Sequence, residues 1–151
     1  MKAVIQRCLS SSVIADKCPA GEIKKGLLVL LGVNEEDTSA EAELLAKKVA
    51  ALRVFTDEND KMNLSVQDVG GSVLAVSNFT LCADTKKGNR PSFTFAMEPV
   101  KANELYEEFC DGIEKFGINV QKGVFGADMQ VSMVGDGPVT IVLDTDVWSK
   151  K

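Results

Sequence analysis

The sequence predicts an α+β fold, a single domain in which a curled, largely antiparallel or mixed β-sheet, a half-barrel, carries two main helices. Apolar runs of strand length come before, between and after two segments of helical periodicity, giving the order strands, helix, strands, helix, strands. The strand runs follow one another instead of alternating one by one with helices, which disfavours a doubly wound parallel sheet. At 151 residues and 45% hydrophobic, the chain can bury one core without staples. Residues 1–145 are therefore expected to form the domain and 146–151 a charged tail.

"KAVIQRCLSSSVIA" reads as a first strand region, and "CPAGEIKKG" as a turn into the buried strand "LLVLLGV" at 27–33. In "DTSAEAELLAKKVAAL", Thr38 stands three residues before Glu41, the spacing of a capping box. Ala42, Leu45, Ala46, Val49 and Leu52 then recur at helical intervals, so this helix is one-sided and lies on a sheet. "RVFTDENDKMNLSV" reads as a strand, an acidic turn and a return, and "GGSVLAVSNFTL" as a strand ending in polar residues. A loop, "CADTKKGNRPSFTFAMEP", leads to a second helix that begins near Pro99 and ends by Gly117. It buries Ala102, Leu105, Tyr106, Phe109, Ile113 and Phe116. Two last strands flank "GDGP", which from the residues alone reads as a four-residue hairpin connection. Gly135 and Gly137 there permit positive φ and Pro138 removes a ladder donor, more than a plain hairpin requires. The tail "TDVWSKK", with Trp148, reads as a loosely ordered end.

Charge and composition exclude several functions. A net charge of −5 gives no global attraction to phosphate, which argues against a protein that coats duplex DNA. No run approaches a membrane span and the start "MKAVIQRC" is too short for a signal peptide, so a cytoplasmic location is expected. Cys8, Cys18, Cys82 and Cys110 are far apart without a C-x-x-C and read as buried free thiols. The chain has no histidine, which removes Ser-His-Asp and Cys-His nucleophile systems and histidine zinc sites; no metal and no cofactor is expected. "VGGS" lacks the lysine of a phosphate loop, which makes nucleotide triphosphate chemistry a poor fit.

Three groupings remain. In "SNFTL", Ser77, Asn78 and Thr80 interrupt an apolar strand near its end, where splayed backbone N–H groups around Phe79 could hold the oxyanion of a tetrahedral ester intermediate. A strand with a polar outward face is the plainer reading. In "DTKKGNRPSF", Lys86, Lys87 and Arg90 form a dense basic cluster in an acidic chain, either a solvated loop or a phosphate clamp on an RNA terminus. The third is "GDGPVT" itself.

"SNFTL" resembles the "SQFTL" motif, and "GDGPVT" the "NxGPVT" motif, of the D-aminoacyl-tRNA deacylases, also called D-tyrosyl-tRNA deacylases. "MKAVIQR", "KGLLVLLGV", "LRVFTDENDKMNLSVQDVGG", "ADTKKGNRPSF" and "FGADMQVSMV" look like that family in the same order, to about residue 144. The resemblance implies an editing enzyme that hydrolyses the ester between a D-amino acid and the 3′ end of tRNA, with mischarged glycine as a further substrate. It implies a homodimer in which Gly137 and Pro138, joined by a cis bond, enter the other subunit's site. Two neighbouring carbonyls would then hold the substrate ammonium and leave no room for an L side chain.

For catalysis, the resemblance implies backbone N–H groups near Phe79 and Thr80, with a terminal ribose hydroxyl of the tRNA assisting water. An unassisted Thr80 hydroxyl is the weaker alternative, because a hydroxyl without an adjacent base is a poor nucleophile at neutral pH. Ala102 and Met129 match positions of the pocket wall, and both are also ordinary core residues. Asn78 stands where the family has Gln, and Gly135 where it has Asn, which puts substrate preference and loop rigidity in doubt more than reaction type. Two other readings stay open: a paralogous deacylase with shifted specificity, and a non-catalytic dimer that binds tRNA ends.

Overall fold

The structure, a computed structural model, describes residues 1–149; Lys150 and Lys151, part of the expected 146–151 tail, lie outside the described residues. In chain order the elements are β1 (Lys2–Ala15), β2 (Cys18–Ile23), β3 (Gly26–Gly32), α1 (Ser39–Ala51), β4 (Phe55–Thr56), β5 (Met62–Leu64) and β6 (Ser72–Ser77). A 3₁₀ turn (Phe79–Cys82), α2 (Pro99–Glu114), β7 (Asn119–Lys122), β8 (Met129–Asp144) and α3 (Thr145–Ser149) follow. The fold is α+β, with a mixed sheet that curls into a nearly closed half-barrel.

β1 is the hub of the sheet. One of its edges pairs antiparallel with β3 through Lys2–Cys8 and then with β2 through Ser11–Ala15, while the other pairs antiparallel with β8. Beyond β3 the sheet becomes parallel, in the order β3, β6, β7. β3 and β6 are covered on both faces, as parallel strands usually are, which explains their unbroken apolar runs. The curl brings β2 back towards β7: a Cβ on Gly21 would lie 2.7 Å from the carbonyl oxygen of Lys122. A side chain at residue 21 would therefore hold the sheet open.

One face carries α1 and α2. Leu45, Val49, Phe109 and Ile113 are wholly buried there against Val29, Leu31, Val73 and Ala75, each contributing on the order of 1.5–3 kcal/mol. α1 starts as its capping spacing predicts. The Thr38 N–H donates to Glu41 Oε2 at 2.7 Å, and Ala40 N–H donates to Thr38 Oγ1 at 3.3 Å. α2 starts at Pro99, with the Glu98 carboxylate accepting from the N–H groups of Val100 and Lys101 at 3.1 and 2.8 Å. The concave face holds a smaller cluster of Cys8, Val13, Ile23, Leu28, Leu74 and Val76. Among the described residues no helix is long and apolar enough to cross a membrane.

Several expectations are corrected. The runs around "GDGP" are not two strands joined by a hairpin. They are one strand, β8, and both halves pair with β1. Thr140 faces Gln6 and Gly135 faces Cys8, so residues 136–139 stand opposite Arg7 alone, an extended bulge. Glycine and proline serve a bulge as readily as a turn, and local composition cannot separate the two. "SNFTL" is not all strand: β6 ends at Ser77 and the chain tightens into the 3₁₀ turn. The tail is ordered as far as it is described, since α3 packs Trp148 against the core with Lys48 Nζ 5.1 Å from its ring centroid. Cys18 is exposed, whereas Cys8, Cys82 and Cys110 are buried as expected.

Candidate active site

β6 ends at Ser77 because the next residues leave the ladder for the 3₁₀ turn. The turn is seated by main-chain bonds: Asn78 N–H donates to Leu31 O at 2.8 Å, Leu81 N–H to Asn78 O at 3.3 Å and Ala83 N–H to Thr80 O at 3.2 Å. Cys82 Sγ donates to Val33 O at 3.4 Å. Gly32 makes room for it, since a Cβ there would lie 2.8 Å from Leu81 Cβ and 3.2 Å from Asn78 O. The first amides of such a turn have no partner within it. Those of Phe79 and Thr80 have no acceptor among the described residues.

Phe79 and Thr80 line a cleft of about 760 Å³ between the ends of β3 and β6, the start of α2, residues 125–129 and Val131. The cleft brings together six sequence-predicted residues: Ser77, Asn78, Phe79, Thr80, Ala102 and Met129. Asp128 is the one ionisable side chain in its lining. Phe79 is exposed and meets the ring of Phe93 edge-on, with centroids 5.0 Å apart. Behind the wall, the Tyr106 hydroxyl donates to Ala75 O at 2.7 Å, and burial pushes its pKa up. Burial likewise raises the neighbouring Cys110 thiol to about 12, so neither group supplies an anion at neutral pH.

Gly137 and Pro138 are not in this cleft. β8 lies across β1 from β3, and the bulge sits on that far side. The Gly137–Pro138 peptide bond is cis, and Gly137 has φ +128°. Lys86, Lys87 and Arg90 are also outside the cleft, exposed on a loop folded by pairing of Asp84 with Ser92. The loop is linked to the cleft edge by the contact of Phe93 with Phe79.

Two residues escaped the sequence reading. Phe125 lines the cleft beside Ala102, its ring centroid 6.2 Å from that of Tyr106. The signal was an aromatic between two glycines, outside any periodic segment. Arg7 spans the bulge: Nε donates to Asp136 O at 3.1 Å and Nη1 to Val54 O at 2.7 Å. A cation inside an alternating apolar strand was its signal.

The lining of this cleft holds no nucleophile–base pair among the described residues, and Phe79 and Thr80, whose main-chain N–H groups have no acceptor among those residues, stand at its wall. Residues 4–144 match the family described as D-Tyr-tRNA(Tyr) deacylase. A D-aminoacyl-tRNA deacylase of Koribacter versatilis (strain Ellin345) is 55% identical over 145 residues, 96% of this chain and 97% of that one. A solved structure titled c-Myc DNA Unwinding Element Binding Protein superposes with a TM-score of 0.88 at 41% identity, covering 95% of this chain and 98% of the other. A probable eukaryotic D-amino acid tRNA deacylase shares the fold, with a TM-score of 0.80 at 14% identity over 94% and 97% of the two chains. The chain belongs to the D-aminoacyl-tRNA deacylase family.

Proposed function

We propose that this chain is an ester hydrolase that removes D-amino acids from the 3′ end of tRNA. The observation that carries the reading is that Phe79 and Thr80, whose N–H groups have no acceptor among the described residues, line the cleft of a chain matched to that family over nearly its whole length. Water attacks the ester carbonyl, the developing oxyanion accepts from those amides, and the ribose oxygen leaves with a proton. Each preorganised donor contributes about 3 kcal/mol to the barrier reduction. As the resemblance to the family implies, the ribose hydroxyl next to the ester assists the water. Ala102, Phe125 and Met129 supply an apolar wall for the terminal nucleoside. Lys86, Lys87 and Arg90 contact tRNA phosphates.

Selection falls to Gly137 and Pro138 of a second copy in a homodimer. Support comes from the bulge's position outside its own chain's cleft and from the exposed apolar side chains of Val131, Met133, Val134 and Val142 on β8. Backbone carbonyls there hold the substrate ammonium and exclude an L side chain, while glycine, having none, is accepted. The enzyme works in the cytoplasm. Incubation of the pure protein with D-tyrosyl-tRNA tests the reading: free D-tyrosine is expected, and an intact ester after prolonged incubation contradicts it.

A further inference from the structure

Asn78 occupies the capping position of the 3₁₀ turn, with φ −145° and ψ 90°, yet its side chain accepts no backbone N–H. Asparagine is among the strongest residues at such a position, because its Oδ1 ordinarily accepts from the second or third amide that follows. Here those amides are Thr80 and Leu81, and Thr80 is one of the two donors assigned to the oxyanion. A capped Thr80 amide would be spent before substrate arrived. Asn78 Oδ1 is instead occupied by the hydroxyl of Thr80, which donates to it.

We propose that Thr80 is a positioning residue whose hydroxyl draws the Asn78 carbonyl away from the turn's amides and so keeps the oxyanion donors open. The competition is local. The Asn78 carbonyl oxygen has room for two donors, but turned towards the Thr80 hydroxyl it meets no amide of the turn, and the Thr80 N–H is left for the substrate. The backbone of the turn does not need the Asn78 side chain, because the bonds to Leu31 O, Asn78 O, Thr80 O and Val33 O hold it. Asn78 is also one methylene shorter than the Gln of the family motif, so its carbonyl stays within reach of its own turn. The inference rests on the ester-hydrolase reading above and assigns Thr80 no bond to the reacting atoms.

The test is a double-mutant cycle with two readouts. Thr80→Val keeps the shape and removes the donor, and it is compared in the Asn78 background and in an Asn78→Ala background. The rate of D-tyrosyl-tRNA hydrolysis at saturation should fall roughly 100-fold in the first background, the scale of losing one oxyanion donor, with little change in KM. In the second background the same substitution should change the rate by less than about threefold, since no carbonyl remains to cap the amide. Thr80→Ser, which keeps the hydroxyl, should resemble the parent.

The second readout is amide hydrogen exchange at residues 79–81 in the free protein. Exchange at residue 80 or 81 should slow in Thr80→Val and recover in the double variant. Equal losses in both backgrounds would assign the hydroxyl to the chemistry, and no loss in the first would leave it without a role; either overturns the proposal. Should the parent fail to release D-tyrosine at all, the deacylase reading fails. The exchange pattern then decides the capping competition by itself, and unchanged exchange in Thr80→Val overturns it.

Discussion

The guanidinium of Arg7 holds Asp136 twice, donating from Nε to its main-chain oxygen at 3.1 Å and lying 3.2 Å from its carboxylate. The same side chain reaches the other way to Val54 O at 2.7 Å, and it is only 11% exposed. One residue of β1 thus spans the gap that four residues of β8 open. The fork geometry of arginine suits this, whereas a lysine offers a single point charge.

Arg7→Ala should leave a part-buried carbonyl of Val54 unpaired and release the bulge, costing about 1–3 kcal/mol. Arg7→Lys should recover less than half of that. Urea midpoints of the three proteins check this; an Arg7→Ala midpoint equal to that of the parent contradicts it.

The cap of α1 makes a pH-dependent contribution. The Thr38 hydroxyl, with help from backbone N–H groups, holds the Glu41 carboxyl below its ordinary value near 4.5. A carboxyl depressed in the folded state stabilises the fold above its unfolded pKa, and that stability is lost as pH falls through the folded value. Thr38→Ala should therefore cost about 1 kcal/mol at neutral pH. The gap between variant and parent should narrow below about pH 4.5 as Glu41 is protonated in both. Denaturant curves at neutral and acid pH measure the gap, and a constant gap would rule out the linkage.

Changing Lys86, Lys87 or Arg90 to Glu should raise the apparent KM for tRNA substrate more than it lowers kcat, and should flatten the salt dependence of binding. KM values unchanged across a salt series would return the loop to plain solvated surface.

Subunit mixing addresses the shared site. Gly137→Ala places a Cβ 2.9 Å from Val139 N at a φ that L side chains avoid, which should disable selection at the partner's cleft. Gly32→Ala pushes on Leu81 and Asn78 and should disable the chain's own turn. Each variant alone should lose most activity. Mixed heterodimers contain one cleft with both defects and one intact, so activity should partly return. No recovery on mixing dimeric variants contradicts a site built from two chains.

Local patterns gave away much of this molecule. The Thr38–Glu41 spacing marked the start of α1, Pro99 marked that of α2, and unbroken apolar residues marked β3, because each signal is confined to a few adjacent residues. "SNFTL" was recognisable as a polar break in an apolar strand, and the cleft does gather Ser77 to Thr80 with Ala102 and Met129. What escaped depends on pairing across long stretches of chain. The bulge at residues 136–139 exists because both halves of β8 answer to one β1, and Arg7 matters only once that register is set. The bond from Thr80 to Asn78 is short-range, but it required knowing that the strand stops at Ser77.

The most direct measurement compares hydrolysis of D-tyrosyl-tRNA and L-tyrosyl-tRNA by the same preparation under single-turnover conditions. Main-chain donors that hydrolyse the ester, together with a Gly137–Pro138 wall that admits one enantiomer, predict rapid release of D-tyrosine and an L ester that decays no faster than in buffer. Equal rate constants for the two enantiomers would contradict the account.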